Sequence, residues 1–184
     1  MANTFLAAQG VPVGGSRVES EALEIARGLL EGEGDLEWRF PVDARIGHSL
    51  EDIEPRIVEV GEDPGNAMFL DIGPKTLESF RETLSQAKTI FWNGPPGVFE
   101  KEPFAEGTRD LAQFLASHSG TVVVGGGDTA AAARSFGIED SVTHVCTGGG
   151  AALEFLEGKE LPGLSALENA VERGSNNEGD PDAR

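Results

Sequence analysis

The chain has 184 residues, 39% of them hydrophobic, enough for one domain with a substantial core, and it sets 32 Asp and Glu against 14 Lys and Arg for a net charge of −18. Such a balance argues against nucleic acid and anionic membrane surfaces as partners. The single cysteine, Cys146, rules out an internal disulfide and points to a reducing, cytoplasmic setting.

In chain order, "MANTFLAAQG" predicts a helix ending at glycine, and "ESEALEIARGLLEGEG" a second, with Leu23, Ala26, Leu29 and Leu30 on one face. "LEWRFPVDARIG", "PRIVEV" and "AMFLDIG" read as strands. A regular alternation follows: "PKTLESFRETLSQA" helix, "KTIFWN" strand, "PFAEGTRDLAQFLASHS" helix, "TVVVGGG" strand, then "DTAAAARSFG", "SVTHVCT" and "GGAALEFLEG" in the same rhythm. The expected fold is α/β: a parallel sheet flanked by helices on both faces, Rossmann-like, spanning residues 1–170. The polar tail "RGSNNEGDPDAR" lies within or beside residues 171–184, which are expected to be disordered.

Glycine is used at roughly twice the average rate, 25 residues, and its positions matter. Four consecutive strands exit into glycine-containing loops: "DIGPKT", "WNGPPGVFE", "GGGDT" and "TGGGA". Ligands of open parallel sheets bind beyond the carboxyl ends of the strands, so the site is expected at that end of one sheet. In "TVVVGGGDTAAAA" the helix opens at Asp128 and Thr129, where free N–H groups and the positive dipole end suit an anion. Asp128 would hold phosphate through Mg²⁺, and Thr129 offers hydroxyl and amide; the competing reading is a plain N-cap by Asp128. Gly148, Gly149 and Gly150 open a second helix in the same way.

The same loop fits the dinucleotide pattern G-x-G-x-x-A at Gly125, Gly127 and Ala130, but "HVCTGGG" carries no carboxylate for a ribose, which weakens an NAD-dependent dehydrogenase. No P-loop pattern occurs. In "WNGPPGVFE", the Asn93 amide can donate to phosphate, Pro95, Pro96 and Val98 build a stiff apolar wall, and Glu100 can accept from ribose hydroxyls. His48, His118 and His144 lack metal-ligand spacing, with His144 read as structural; Trp92 and Cys146 read as core, Lys75 and Arg109 as solvated charges. The lysine-poor, acidic composition suggests a protein adapted to concentrated salt, where the Debye length falls to about 3 Å.

The motifs "MANTFLAAQG", "FPVD", "LDIGPKT", "WNGPPGVFE", "GGGDTAAA" and "HVCTGGGAALEFLEGKELPGLSAL" occur in an order that resembles the C-terminal nucleotide-binding domain of phosphoglycerate kinase. The resemblance implies phosphoryl transfer between 1,3-bisphosphoglycerate and ADP, with Mg²⁺ and ADP or ATP bound here. It implies that Asn93, Asp128 and Thr129 contact phosphates and metal, Gly126 and Gly127 contact them through the backbone, and Glu100 takes the ribose. Leu70, Gly94, Pro95 and Val98 would line base and sugar, and Gly148, Gly149 and Gly150 would lie near the phosphoryl group in transit. The sequence departs from the family at Phe69, usually glycine beside the adenine, at Pro96, commonly methionine or valine, and at Cys146, commonly serine. It also lacks counterparts of the N-terminal domain, which binds 3-phosphoglycerate or 1,3-bisphosphoglycerate, and of the start of the C-terminal domain. The expectation is a fragment without kinase turnover by itself, monomeric like its relatives; the alternative is a non-catalytic nucleotide-binding module.

Overall fold

A computed structural model describes residues 1–32 and 34–167. The expected tail at 171–184 lies outside the described residues. Among the described residues there are six strands in two sheets of three. In the first, β1 (Asp43–Gly47) is flanked by β2 (Arg56–Glu59) and β3 (Met68–Ile72), both antiparallel to it. In the second, β4 (Thr89–Asn93), β5 (Thr121–Gly125) and β6 (His144–Cys146) run parallel.

Helices α1 (Ala2–Ala8) and α2 (Leu23–Glu31) pair near the start of the chain. On α2 the expected apolar stripe is only partly used: Ala26 is buried while Leu29 is exposed. Helix α3 (Pro74–Leu84) links the sheets, α4 (Glu106–Ala116) and α5 (Gly127–Ser135) are the crossovers of the parallel sheet, and α6 (Gly149–Leu156) follows β6.

The parallel sheet and its crossovers realise the α/β class that the alternation predicts. Its two faces are covered unequally. Consecutive right-handed crossovers stepping in one direction deposit their helices on the same side, and α4 and α5 touch one another there. Ile90, Trp92, Val122 and Val124 are buried on that side, with Leu111, Ala112, Leu115, Ala132 and Ala133 of the helices against them. Alanines at 130, 132 and 133 give α5 a flat buried face that lies close to β5. On the opposite side Phe91 and Val123 are half-buried, and Thr89 and Thr121 exposed.

Two expectations are corrected. The strand that ends in "DIGPKT" is not a neighbour of the other three glycine exits; β3 belongs to the antiparallel sheet. Nor is that loop open. The buried Asp43 carboxylate accepts the Lys75 and Thr76 N–H groups at 3.1 and 2.7 Å and the Thr76 hydroxyl at 2.7 Å, capping α3 from a neighbouring strand. A Cβ at Gly73 would lie 2.3 Å from that carboxylate, so the glycine exists to admit a side chain and not a ligand. Asp43→Ala is expected to destabilise the fold by about 2–3 kcal/mol, since it strands buried helix-end donors. The shift of the urea midpoint, read in molar KCl, checks it.

Candidate functional site

The register of the parallel sheet sets the site. Asn93 pairs with Gly125, and Gly125 with Cys146, so the three strands finish level. Beyond Gly125 the chain turns at Gly126, φ +95°, a conformation that side chains oppose. The first bond of α5 is Ala130 N–H to the Gly126 carbonyl, 2.9 Å, so the N–H groups of Gly127, Asp128 and Thr129 precede the ladder. Asp128 does not cap this helix: the N-cap is Gly126, without a side-chain bond, and Asp128 is exposed in the first turn.

Helix α6 begins the same way. Gly148 is its N-cap, no side chain closes it, and Ala152 N–H to Gly148 O at 3.0 Å is the first bond, leaving Gly149, Gly150 and Ala151 ahead of it. The two starts abut. A Cβ on Gly149 would come 2.6 Å from Gly126 Cα, a distance real atoms do not share. Beside them, Asn93 Oδ1 lies 3.0 Å from where a Gly126 Cβ would stand. Two uncapped helix N-termini and one strand-end amide therefore converge, and each helix start adds about 0.3–1 kcal/mol of dipole attraction for an anion.

The loop after β4 forms the adjoining wall. Gly94, φ +110°, donates its N–H to Thr129 Oγ1 at 2.7 Å and accepts Trp92 Nε1–H at 3.1 Å. Thr129 is buried, so its hydroxyl anchors this loop and its backbone amide is the group turned to the helix end. Val98 N–H bonds the Leu70 carbonyl at 2.8 Å, tying the loop to β3, and Leu70 itself is buried. Asn93, Gly94, Pro95 and Pro96 line a cleft of about 570 Å³, whose far side is built by Met1, Asn3, Phe69, Phe40 and Trp38. Trp38 and Phe40 stack at 5.9 Å between ring centroids, with Phe5 5.0 Å from Trp38. Leu70, Val98 and Glu100 do not line this cleft; Glu100 is exposed at the end of the loop.

The structure thus brings Asn93, Gly94, Gly126, Gly127, Asp128, Thr129 and Gly148–Gly150 to one rim, with Pro95 alongside. The cleft-lining Met1, Asn3, Trp38 and Phe40 were not assigned a role from the sequence, although "MANTF" and "FPVD" were visible as motifs. Trp92 is buried as expected; Cys146 is half-buried and so not the core residue expected, and His144 is exposed on β6. Arg109 pairs with Glu102 at 2.7 Å over the Phe136 ring, and Lys75 pairs with Glu59 at the surface. Beneath the loop, Asp71 is buried on β3, and its carboxyl is pushed up to about 6 by desolvation, against the opposing pull of the Gly107 and Ile72 N–H groups, the Thr108 hydroxyl and Arg45.

Among the described residues no group of three His, Cys, Asp or Glu is placed to hold a metal, and no helix is long and apolar enough to cross a membrane.

Comparison with known proteins fixes the family. The model of phosphoglycerate kinase matches residues 1–159. This chain belongs to the phosphoglycerate kinase family. It is 47% identical over 173 residues to the phosphoglycerate kinase of Roseiflexus sp. (strain RS-1), covering 92% of this chain and 44% of the relative. With that of Anaeromyxobacter sp. (strain K) it shares 50% over 171 residues, 91% of this chain and 43% of the relative. The solved structure of phosphoglycerate kinase from Coxiella burnetii superposes with a TM-score of 0.84 at 43% identity, over 90% of this chain and 44% of that one. The enzyme from Pyrococcus horikoshii OT3 gives 0.77 at 36% identity, over 93% and 44%. The chain spans less than half the length of these relatives.

Proposed function

We propose that this chain is the nucleotide-binding half of a phosphoglycerate kinase, seating Mg-ADP or Mg-ATP at the rim formed by α5, α6 and the loop after β4. The observation that supports this most is the contact of Gly149 with Gly126, which sets two uncapped helix starts side by side next to Asn93. The N–H groups of Gly127, Asp128 and Thr129 would take the oxygens of one phosphate, with Asn93 beside them. Those of Gly149 and Gly150 would take the phosphoryl group in transit, where negative charge is spread over its oxygens. Gly94, Pro95, Val98 and Leu70 would bound the base and sugar, and Glu100 the ribose hydroxyls.

The exposed Asp128 carboxylate, a hard oxygen donor next to anion-seeking amides, fits Mg²⁺, which is usually held by one or two carboxylates together with substrate phosphates. Bound there, the ion would neutralise phosphate charge. The phosphoglycerate or bisphosphoglycerate substrate would be held by the part of the family that this chain does not span, and an in-line transfer needs both substrates positioned together. The chain alone is therefore inactive and monomeric in this reading, a cytoplasmic protein that needs concentrated salt to screen its charge of −18.

Calorimetric titration with Mg-ADP in molar KCl tests the binding half. Saturable one-site binding that disappears with EDTA is expected, and heat no greater than dilution overturns it. A coupled assay of ATP formation from 1,3-bisphosphoglycerate should read no turnover for the chain alone. Mixing with the N-terminal half of a relative decides between half-enzyme and binding module: recovered turnover supports the first, and tight nucleotide binding without it the second.

A further inference from the structure

The loop between Asn93 and Lys101 has no ladder of its own. Pro95 and Pro96 lack an N–H, and the ties made by the remaining ones leave the loop at three points: Gly94 to Thr129 of α5, Gly97 to Thr108 of α4, and Val98 to Leu70 of β3. Thr129 and Leu70 already belong to the proposed nucleotide contacts. Thr108 does not. It is fully buried in the first turn of α4, and its hydroxyl accepts the Gly97 N–H at 2.9 Å.

That hydroxyl donates in turn to Asp71 Oδ1 at 3.2 Å, while Asp71 Oδ2 accepts the Gly107 N–H at 2.6 Å. The direction of the chain is fixed, because Gly97 N–H can only donate and the carboxylate can only accept. A hydroxyl can accept on one side and donate on the other, as this position requires. The fit is close: a Cβ on Gly97 would stand 2.1 Å from Asp71 Oδ1, so the loop rests directly on the carboxylate. Arg45 faces the same carboxylate from β1, its Nε 4.0 Å away, and is held by Glu106 of α4 at 2.7 Å.

We propose that Thr108 and Asp71 are positioning residues: a directed relay that hangs the Pro95–Val98 wall at the spacing the nucleotide requires. The proposal rests on the nucleotide reading above. Thr108 touches no ligand in it and acts through Gly97 alone. Without the relay, the wall keeps its prolines but swings between its outer anchors.

Thr108→Val keeps the shape and removes the hydroxyl; Thr108→Ser keeps the hydroxyl and removes a methyl. Amide exchange at Gly97 and Val98, read by NMR on the labelled full chain in molar KCl, reports the loop without any ligand. Mg-ADP titration reports the site. For Thr108→Val, Gly97 exchange should accelerate and Mg-ADP affinity fall about tenfold, the order expected for one buried hydrogen bond lost. Thr108→Ser should restore both to near wild type, with far-UV circular dichroism unchanged in both variants. Unchanged Gly97 exchange in Thr108→Val, or a serine variant that fails to rescue, overturns the relay. Absence of Mg-ADP binding by the wild-type chain, with exchange responding as expected, overturns the nucleotide reading instead.

Discussion

Gly126→Val is expected to abolish measurable Mg-ADP binding, a loss of at least about a hundredfold, because two constraints fall on one atom position. A β-branched residue at φ +95° is strained by about 1–3 kcal/mol before any neighbour is met. Its Cβ would press on Asn93 Oδ1 at 3.0 Å. Gly148→Ala is the control: a Cβ there meets nothing within 4 Å and φ is −85°, so fold stability should be unaffected. Calorimetric titration paired with circular dichroism separates a dismantled rim from an unfolded chain. If Gly126→Val binds Mg-ADP like wild type, the rim is not where the phosphates sit.

The second large effect is on stability. Trp92, on β4, is 6% exposed in the core between the parallel sheet and the helices, and its indole N–H reaches out of that core to the Gly94 carbonyl at 3.1 Å. Trp92→Ala should cost about 3–5 kcal/mol, the range for emptying a large aromatic site. A domain's whole stability is about 5–15 kcal/mol, so this variant should be largely unfolded or poised at the edge of it. Trp92→Phe fills most of the volume and loses only the hydrogen bond, for about 1 kcal/mol. Urea unfolding in molar KCl checks both, and an alanine variant within 1 kcal/mol of wild type would show that this side chain is not the centre of the core.

Much of the rim was legible because it is written in local chemistry. Valines ending at Gly125–Gly127 can be little but a buried strand breaking into a turn, and the alanines after them little but a helix packed close. The stiffness of the loop after Asn93 follows from its two prolines. What was not legible depends on partners far along the chain. "DIGPKT" looks as open as "GGGDT"; only the fold shows that Asp43, about thirty residues earlier, already fills it. Strand direction was equally hidden, since β1, β2 and β3 have patterns that suit either sheet. Thr129 was read for what it could give a ligand, whereas its hydroxyl is first an anchor for Gly94. Asp71 and Thr108 are 37 positions apart and carry no shared signature. The cleft-lining Trp38 and Phe40, and Phe5 against them, are likewise brought together from distant segments.

The Asp43 cap has a consequence for motion. An anion that is covalently part of the chain cannot diffuse away, so the start of α3 keeps its acceptor whether or not a ligand is present. The starts of α5 and α6, by contrast, have no side-chain acceptor of their own. In the proposed reading, loading and release of nucleotide act on that uncapped rim and leave the start of α3 as it is.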